Sequence, residues 1–285
     1  MSFTVGVVCD IGVGPELGGR ERNEDNFLVC SDGKVWYHVN GVHTRVAQSG
    51  DGLLVAVCDG MGGHSDGDVA STTAAQVTAK LYQPGAPKRP AKVLLKYVHE
   101  SHRQLHWAAR SDGPVGMGTT LTAAWLLNGQ ACWVQVGDSR LYLHRTGRLK
   151  QLTTDQTRNE FARRDGRPQT PDGDHLAQTF IYGSRGLGDN AALRLDKGLD
   201  TGPEVLHRGD RLLLCSDGLT GCVDDARVCQ TLIEHEEPQR AAEALLGLAV
   251  ERGSRDNITI LVVRVDDMPE SVGEWMDDPE ETVQF

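Results

Sequence analysis

Acidic residues stand at the ends of several short apolar segments of this chain. The pairings are Leu53–Cys58 with Asp59-Gly60, Cys132–Val136 with Asp138, Leu212–Cys215 with Asp217, and Asp256 with Ile258–Val265. A further acidic pair, Glu24-Asp25, comes just before the apolar residues that begin at Phe27. Carboxylates that a sheet brings into one cleft repel each other unless they are protonated or surround cations. Because hard divalent ions prefer oxygen ligands, the pattern predicts a site for such ions at the strand ends.

The composition is acidic and provides enough apolar residues for a sizeable core. The chain of 285 residues has a formal net charge of −11 at pH 7, which argues against general binding of nucleic acid or of an anionic membrane. We therefore expect no nucleic-acid partner and no membrane partner. Hydrophobic residues make up 39% of the chain and aromatic residues only 5%, so the core should be mostly aliphatic.

The cysteines favour a reducing compartment. All seven are scattered and none forms a Cys-x-x-Cys pair, so a zinc site is not expected. Thiols stay reduced in the cytosol, whereas secreted proteins pair them. The first 20 residues lack the pattern of a signal peptide, and no apolar run approaches the ~18 residues of a membrane span. These features predict a cytoplasmic protein.

Hydrophobic periodicity divides most of the chain into strands and helices. Helices are predicted for 66–82, 91–109, 226–234 and 238–251, and strands for 3–9, 27–30, 35–39, 53–58, 119–127, 132–136, 141–144, 211–215 and 258–265. Asp32-Gly33 and Asn128-Gly129 are typical of tight hairpin turns. Because hairpins rather than helical crossovers join most strands, the pattern favours antiparallel sheets covered by helices over a doubly wound parallel sheet.

Two segments lack clear periodicity. Residues 154–190 are polar and rich in glycine and charge, and a loop of that length inside a domain is usually functional or mobile. Residues 266–285 are acidic and contain little core material, so we expect a flexible tail. The predicted organisation is one domain over 1–265 followed by the tail at 266–285.

Six short motifs occur in order along the chain. They are Arg20-x-x-Asn23-Glu24-Asp25, Asp59-Gly60-Met61-Gly62-Gly63, Gly118-Thr119-Thr120, Gly137-Asp138-Ser139-Arg140, Ser216-Asp217-Gly218-Leu219 and Asp256-Asn257-Ile258-Thr259. A single Asp-Gly pair carries almost no information, but this ordered set is highly specific. On these motifs the chain resembles the metal-dependent protein phosphatase family (the PP2C, or PPM, group) in its bacterial form, over about residues 4 to 265.

The resemblance implies both the fold and the principal metal ligands. The fold would be α+β, a four-layer α-β-β-α sandwich of two antiparallel β-sheets flanked by helices. Asp59 would bridge two Mn²⁺ or Mg²⁺ ions, with help from the Gly60 carbonyl. Asp217 and Asp256 would bind the first of these ions.

The resemblance also places carboxylates around the ions. Glu24 and Asp25 would hold water that is bound to the ions, which suits cations that keep part of their hydration shell. Asp138 would contribute to a third, weaker ion site. The alternative for Asp138 is that it serves only the tight turn between two strands.

The residues that bind phosphate and donate a proton are less certain from sequence. Arg20 matches the family arginine that grips the substrate phosphate, and a guanidinium fork suits phosphate oxygens. Arg22 is a rival only two positions away, and a further alternative is that Arg20 merely pairs with a nearby glutamate. Met61 stands where eukaryotic relatives have a histidine proposed to protonate the leaving group. His64 is a candidate replacement, and the alternative is that His64 is an ordinary exposed loop residue.

The implied function is hydrolysis of phosphoserine and phosphothreonine in proteins, opposing a Ser/Thr protein kinase. We expect a monomer that acts on phosphoprotein substrates. Residues 154–190 correspond to the family's flap, which would either select phosphopeptides or form a solvated loop. The alternatives are a catalytically weak binding module of the same fold and another two-metal hydrolase such as a nuclease. Retention of the motif residues favours the enzyme, and the acidic composition disfavours the nuclease.

Overall fold

Two antiparallel β-sheets pack face to face, and helices cover the outer face of each. The structure is a computed structural model and describes residues 1–39, 42–47, 51–61, 67–84, 90–112, 117–177, 179–180, 196–197 and 203–269. Within these ranges, only the backbone is described for 42–47, 104–112 and 196–197. The predicted tail lies outside the described residues from 270 onward, as do the flap residues 178 and 181–190.

The first sheet contains strands from both ends of the chain. Its members are β1 (Ser2–Asp10), β10 (Arg140–Arg145), β11 (Arg148–Gln151), β14 (Arg211–Cys215) and β15 (Ile258–Asp267). The strand order is β1-β15-β14-β10-β11, and every neighbouring pair is antiparallel. β15 continues to Asp267, which pairs with Ser2, so the regular structure extends two residues beyond the predicted domain end at 265.

The second sheet is formed mainly by the segment between β1 and β10. Its strands are β2 (Asn26–Ser31), β3 (Lys34–Val39), β4 (Val42–Ala47), β5 (Leu53–Cys58), β8 (Leu121–Leu127), β9 (Gln130–Val136), β12 (Asp196–Lys197) and β13 (Glu204–Val205). The order is β12-β9-β8-β5-β2-β3-β4, and β13 also pairs with β9. Two short strands, β6 (Gly60–Met61) and β7 (Gly118–Thr119), form a separate ladder beside it.

The helices complete the outer layers. They are α1 (Gly67–Ala79), α2 (Pro90–Asp112), α3 (Arg158–Arg164), α4 (Asp217–Thr220), α5 (Asp225–Glu234) and α6 (Pro238–Glu251). Residues of α1 and α2 share a core with the second sheet, and residues of α4, α5 and α6 share one with the first sheet. A third core lies between the sheets. The α+β, four-layer α-β-β-α arrangement of antiparallel sheets is therefore confirmed.

β5 shows how the sequence encodes this layering. Leu54, Ala56 and Cys58 face the core under α1 and α2. The alternate residues of the same strand, beginning with Leu53, face the core between the sheets. Because side chains alternate across a strand, a strand buried on both faces has an uninterrupted apolar sequence. β14 has the same character, with Leu212 facing the intersheet core and its neighbours alternating.

Several elements of the described fold were not predicted, among them the short strands β6, β12 and β13. β4 and β11 are strands that the periodicity did not indicate. Within the segment 154–190, α3 begins at an N-cap formed by Thr157, whose side chain accepts a hydrogen bond from the Glu160 backbone N–H at 3.1 Å. Thr157-x-x-Glu160 is the pattern of a capping box, and this local signal explains a helix in an otherwise polar segment.

No helix of the described ranges is long and apolar enough to cross a membrane.

Candidate metal centre

The sheet registers bring the acidic ends of the strands together. In the second sheet Asn26 pairs with Cys58, so Asp25 and Asp59 lie next to each other at the same edge of the sheet. In the first sheet Cys215 pairs with both Arg140 and Ile260, which places the residues that flank these strands at one edge. Those flanking residues are Asp138, Asp217 and Asp256. The stacked sheets thus collect five carboxylates that are distant in sequence.

A buried hydrogen bond joins the two edges. The Ser216 hydroxyl donates to Asp25 Oδ2 at 2.7 Å and accepts from the Thr259 backbone N–H at 2.9 Å. Asp25 is only 2% exposed. Burial raises the pKa of Asp25 to about 7, and the charges of Asp217 and Asp256 add to the rise, against hydrogen bonds from Ser216 and Thr259. Asp25 is therefore a poorly solvated carboxyl whose position is set by the other sheet.

Thr120 holds the backbone of Asp59 through its hydroxyl and its N–H. The Asp59 N–H donates to Thr120 Oγ1 at 2.9 Å, and the Asp59 carbonyl accepts from the Thr120 N–H at 2.8 Å. Thr120 Oγ1 in turn lies 2.7 Å from Ser139 Oγ, in the turn that carries Asp138. Burial raises the pKa of Asp59 well above its ordinary value, and the charge of Asp25 raises it further. The hydroxyl pair thus links the position of Asp59 to that of Asp138.

Close packing requires glycine at two positions beside Asp59. A Cβ on Gly60 would lie 2.3 Å from the carbonyl oxygens of both Glu24 and Gly67. A Cβ on Gly67 would lie 2.6 Å from Glu24 Oε2. Burial raises the pKa of Glu24, against the effect of the Arg20 charge. The Glu24 N–H donates to Asn257 Oδ1 at 2.8 Å, which ties this segment to the start of β15.

Asp138 and Asp217 have pKa values that are raised in the same way. For Asp138 burial raises the pKa to about 7, and the charges of Asp217 and Asp155 contribute. For Asp217 burial raises the pKa, the Asp256 charge adds to it, and a hydrogen bond shared with Asp59 lowers it. Asp217 Oδ1 is buried and has no hydrogen-bond partner within the described part of the chain.

Arg20 reaches the cluster from the Gly-rich loop after β1. Its Nε and one terminal nitrogen donate to the two oxygens of Asp256 at 2.8 and 2.9 Å. The pair lies at the rim, where the side chains of Arg20 and Asp256 are 55% and 37% exposed. Arg20 thus contacts an acidic group, but the partner is Asp256 rather than a nearby glutamate. The side chain of Arg22 is exposed, and its carbonyl accepts from Asn257 Nδ2 at 3.0 Å.

Among the described residues, no three His, Cys, Asp or Glu side chains form a complete ion-binding group in this conformation. The Arg20–Asp256 ion pair and the Ser216–Asp25 hydrogen bond each occupy carboxylate oxygens that were predicted to face ions or their water. The predicted residues therefore share one edge of the sandwich, with some of their oxygens bound to protein groups. His64 lies outside the described residues.

Three residues that position the acids were not assigned a role from sequence. Ser216, Thr120 and Asn257 each occur inside the quoted motifs, and each makes a hydrogen bond that fixes an acidic residue or its backbone. Their position next to the acids within those motifs is the sequence feature that could have identified them.

Comparison with known proteins identifies the family. The family model for protein phosphatase 2C matches residues 41–248. A serine/threonine phosphatase of Listeria welshimeri is 33% identical over 216 residues, which cover 74% of this chain and 83% of the relative. The chain belongs to the protein phosphatase 2C family. It is an enzyme of the serine/threonine protein phosphatase class, and its substrates are phosphoproteins.

Other relatives of the phosphatase agree with this assignment. A serine/threonine protein phosphatase of Mycobacterium tuberculosis, PstP, is 34% identical over 223 residues, which cover 75% of this chain and 40% of the relative. The crystal structure of the M. tuberculosis phosphatase PstP/Ppp covers 94% of this chain and 100% of that chain with a TM-score of 0.70 and 27% identity. The Streptococcus agalactiae serine/threonine phosphatase has the same fold, with a TM-score of 0.72 over 93% of this chain and all of that one, at 23% identity.

The acidic edge of the phosphatase has the chemistry that a divalent cation requires. Asp217 Oδ1 is buried without a partner among the described groups, and such an atom is costly unless a ligand satisfies it. Burial first, and neighbouring carboxylates second, raise the pKa values of Asp25, Asp59 and Asp138, and a bound cation would offset both effects. Carboxylate oxygens are the ligands that Mg²⁺ and Mn²⁺ prefer.

The neighbouring arginine of the phosphatase has a structural partner. Arg140 Nε donates to Asp155 Oδ1 at 2.9 Å, and a terminal nitrogen donates to Asp155 Oδ2 at 2.7 Å. A second terminal nitrogen donates to the Tyr142 hydroxyl at 2.9 Å. Arg140 therefore fastens the turn that contains Asp138 to the beginning of the flap segment.

Proposed function

We propose that this phosphatase hydrolyses phosphoserine and phosphothreonine with the help of Mn²⁺ or Mg²⁺, and that it opposes a Ser/Thr protein kinase. Two ions would be held by Asp59 with the Gly60 carbonyl and by Asp217 and Asp256. Asp138 would contribute to a third. The observation that carries the proposal is the buried Asp217 Oδ1, which has no partner among the described groups and lies within a cluster of acids whose pKa values are raised.

Bound divalent ions would supply positive charge for the phosphoryl oxygens and would make water a stronger nucleophile. The protein's own residues supply the positions. Glu24 and Asp25 offer carboxylates to the water around the ions. Ser216 holds Asp25 in place across the two sheets, and Thr120 holds the Asp59 backbone.

Arg20 would bind the substrate phosphate. Its guanidinium already makes a two-point contact with a planar anion, the Asp256 carboxylate. The same fork suits two phosphoryl oxygens. When Asp256 serves an ion, Arg20 would be released to bind the substrate. We propose that the enzyme acts in the cytoplasm as a monomer, with the flap over 154–190 beside the site and the tail that follows β15 outside the catalytic domain.

Phosphate release from a phosphothreonine peptide tests this function. Protein stripped with EDTA should be inactive, and Mn²⁺ should restore hydrolysis. Hydrolysis that persists in EDTA would contradict the metal dependence. Failure of every divalent ion to support hydrolysis by wild-type protein, together with retained phosphopeptide binding, would instead indicate a binding module of the same fold.

A further inference from the structure

A groove beside the acidic edge contains a second arginine that the proposed reaction does not use. The groove has a volume of about 510 Å³ and is lined by Arg20, Asp217, Asp256 and Arg255, among others. Sites for small ligands span roughly 300 to 1,000 Å³, so the groove has room for a phosphorylated residue and for a neighbouring side chain. Arg255 therefore lies where the substrate chain would pass.

The Arg255 guanidinium is exposed and available for a ligand. Within the described ranges it makes no ion pair and no hydrogen bond, whereas Arg20 binds Asp256 and Arg252 binds the Cys222 carbonyl at 3.0 Å. Arg255 extends beside Gly18, where a Cβ would lie 3.8 Å from Arg255 Nε. Because Gly18 has no side chain, the space next to the guanidinium stays open.

The backbone on both sides of Arg255 is anchored. Ser254 Oγ donates to the Gly218 carbonyl at 2.8 Å, and the Ser254 carbonyl accepts from the Val13 N–H at 3.1 Å. On the other side, the Asn257 N–H donates to Asp256 Oδ1 at 2.9 Å. Arg255 thus projects from a fixed turn between α6 and β15. A side chain held this way can discriminate between substrates, since little backbone order is lost when it binds.

We propose that Arg255 binds an acidic side chain of the phosphoprotein substrate, close in sequence to the phosphorylated residue. This inference rests on the proposed function. Arg20 and Arg255 line the same groove, so the phosphate and a neighbouring carboxylate can be bound together. Cations held by Asp217 and Asp256 would leave both arginines facing the groove without an acidic partner. A guanidinium pairs with a carboxylate through two parallel hydrogen bonds, which neither glutamine nor lysine on the substrate can replace.

Two matched series of phosphothreonine peptides test the proposal. One glutamate is moved from three residues before the phosphothreonine to three residues after it, and a second series carries glutamine instead. We expect the wild-type enzyme to prefer glutamate at one or more positions by about threefold to tenfold in kcat/KM, mainly through KM. The effect is modest because a partly exposed ion pair contributes little to binding. The preference should shrink in 1 M salt, where exposed charges are screened.

Substitution of Arg255 separates this role from a general effect on the enzyme. The ratio of kcat/KM for the glutamate and glutamine peptides should fall to about one in Arg255→Gln. In Arg255→Glu the preference should turn towards a peptide with lysine at the same position. Arg148→Gln removes the same charge from an exposed site on β11 and should keep the wild-type ratio.

A wild-type ratio in Arg255→Gln would overturn the proposal, as would equal hydrolysis of both series by wild-type enzyme. Absence of hydrolysis of any phosphopeptide would instead contradict the proposed function.

Discussion

In two charged regions of the phosphatase, the pKa values of the carboxyl groups are shifted in opposite directions. On α3, Glu160 accepts hydrogen bonds from Arg163 Nε and from Arg164 Nε, each at 2.7 Å. These bonds, from Arg163 first, lower the pKa of Glu160 to about 2. At the acidic edge, burial and neighbouring carboxylates raise the pKa of Asp25 and of Asp138 to about 7. One region contains its own counter-charges, and in the other we propose that bound cations supply them.

The comparison shows how the proposed ion site differs from an ordinary charged surface. Residue types are similar in the two regions, but α3 places Arg163 and Arg164 three and four positions after Glu160, where side chains of a helix meet. At the acidic edge, Arg20 at the rim pairs with Asp256, while Asp217 keeps a buried oxygen without a partner among the described residues. The direction of the pKa shift separates the two cases.

The largest expected effect is the loss of activity in Asp59→Asn. Removing a carboxylate that serves the ions should reduce kcat for a phosphothreonine peptide by about 10³-fold, since a catalytic cation is worth several kcal/mol. The same change should raise the melting temperature of the EDTA-treated protein, because it removes repulsion with Asp25 and Asp217. Phosphate release and thermal unfolding of one preparation check both. An active Asp59→Asn enzyme would contradict the role of the acidic edge.

The stability of the ion-free protein should depend on pH in opposite ways in the two regions. The folded pKa of Asp138 is about 7 and its ordinary value is 3.8, so the folded state binds more protons between these values and stability falls as pH rises through that window. Each pKa unit corresponds to about 1.4 kcal/mol. Glu160, with its pKa lowered from 4.5 to about 2, contributes stability above pH 4.5 that is lost as pH falls through about 2.

Thermal unfolding in EDTA between pH 4 and pH 7 measures the first effect. Asp138→Asn should flatten the decline of the melting temperature over this range, and Mn²⁺ added at neutral pH should restore stability in the wild type. An unchanged slope in Asp138→Asn would show that this carboxyl does not carry the effect.

Substitution of Arg20 should weaken phosphate binding more than it slows the chemical step. Arg20→Ala removes a two-point contact with phosphate, and we expect kcat/KM to fall by about 10- to 100-fold, mostly through KM. Arg22→Ala provides the matched control, because the Arg22 side chain is exposed and its hydrogen bond to Asn257 comes through the carbonyl, which the substitution retains. The roles of the two arginines would be reversed if Arg22→Ala raised KM and Arg20→Ala did not.

Ser216→Ala tests the hydrogen bond that joins the sheets. Loss of the hydroxyl leaves Asp25 Oδ2 without this donor, which should cost about 1 to 3 kcal/mol in the free energy of unfolding. It should also weaken Mn²⁺ binding by about tenfold, as for other residues that orient groups around an ion. Chemical denaturation and Mn²⁺ titration measure the two effects, and Ser216→Thr should recover part of both. Unchanged Mn²⁺ affinity in Ser216→Ala would restrict Ser216 to folding.

The smallest effect is expected on α3. Glu160→Gln breaks partly exposed ion pairs and should lower stability by less than about 1 kcal/mol. The kcat for p-nitrophenyl phosphate should stay unchanged, since Glu160 lies in the region that balances its own charge. A loss of activity comparable with that of Asp59→Asn would remove the distinction between the two regions.

Much of the fold followed from local patterns in the sequence. β5, β14 and α6 have the predicted bounds, because an apolar run between turns and a proline at the first helical position are local signals. The helix α3 was missed although its capping pattern is also local, because its polar sequence lacks an apolar face. The edge strand β4 was missed as well.

The sequence predicted the acidic residues of the candidate site but not the hydrogen bonds that join them across the two sheets. The strand ends identified Asp59, Asp138, Asp217 and Asp256 because a sheet places such positions at one edge. The hydrogen bond between Ser216 and Asp25 spans 191 positions along the chain, and it depends on how the two sheets stack. Sequence periodicity describes each sheet separately, so contacts between the sheets could not be derived from it.

Anomalous diffraction from crystals soaked in Mn²⁺ tests the central claim most directly. We predict strong peaks beside Asp59, the Gly60 carbonyl, Asp217 and Asp256, with Arg20 no longer bound to Asp256. Crystals of Asp59→Asn should lose these peaks. Manganese-dependent phosphatase activity in solution, without a peak among these carboxylates in the wild-type crystal, would contradict the assignment of the acidic edge as the metal centre.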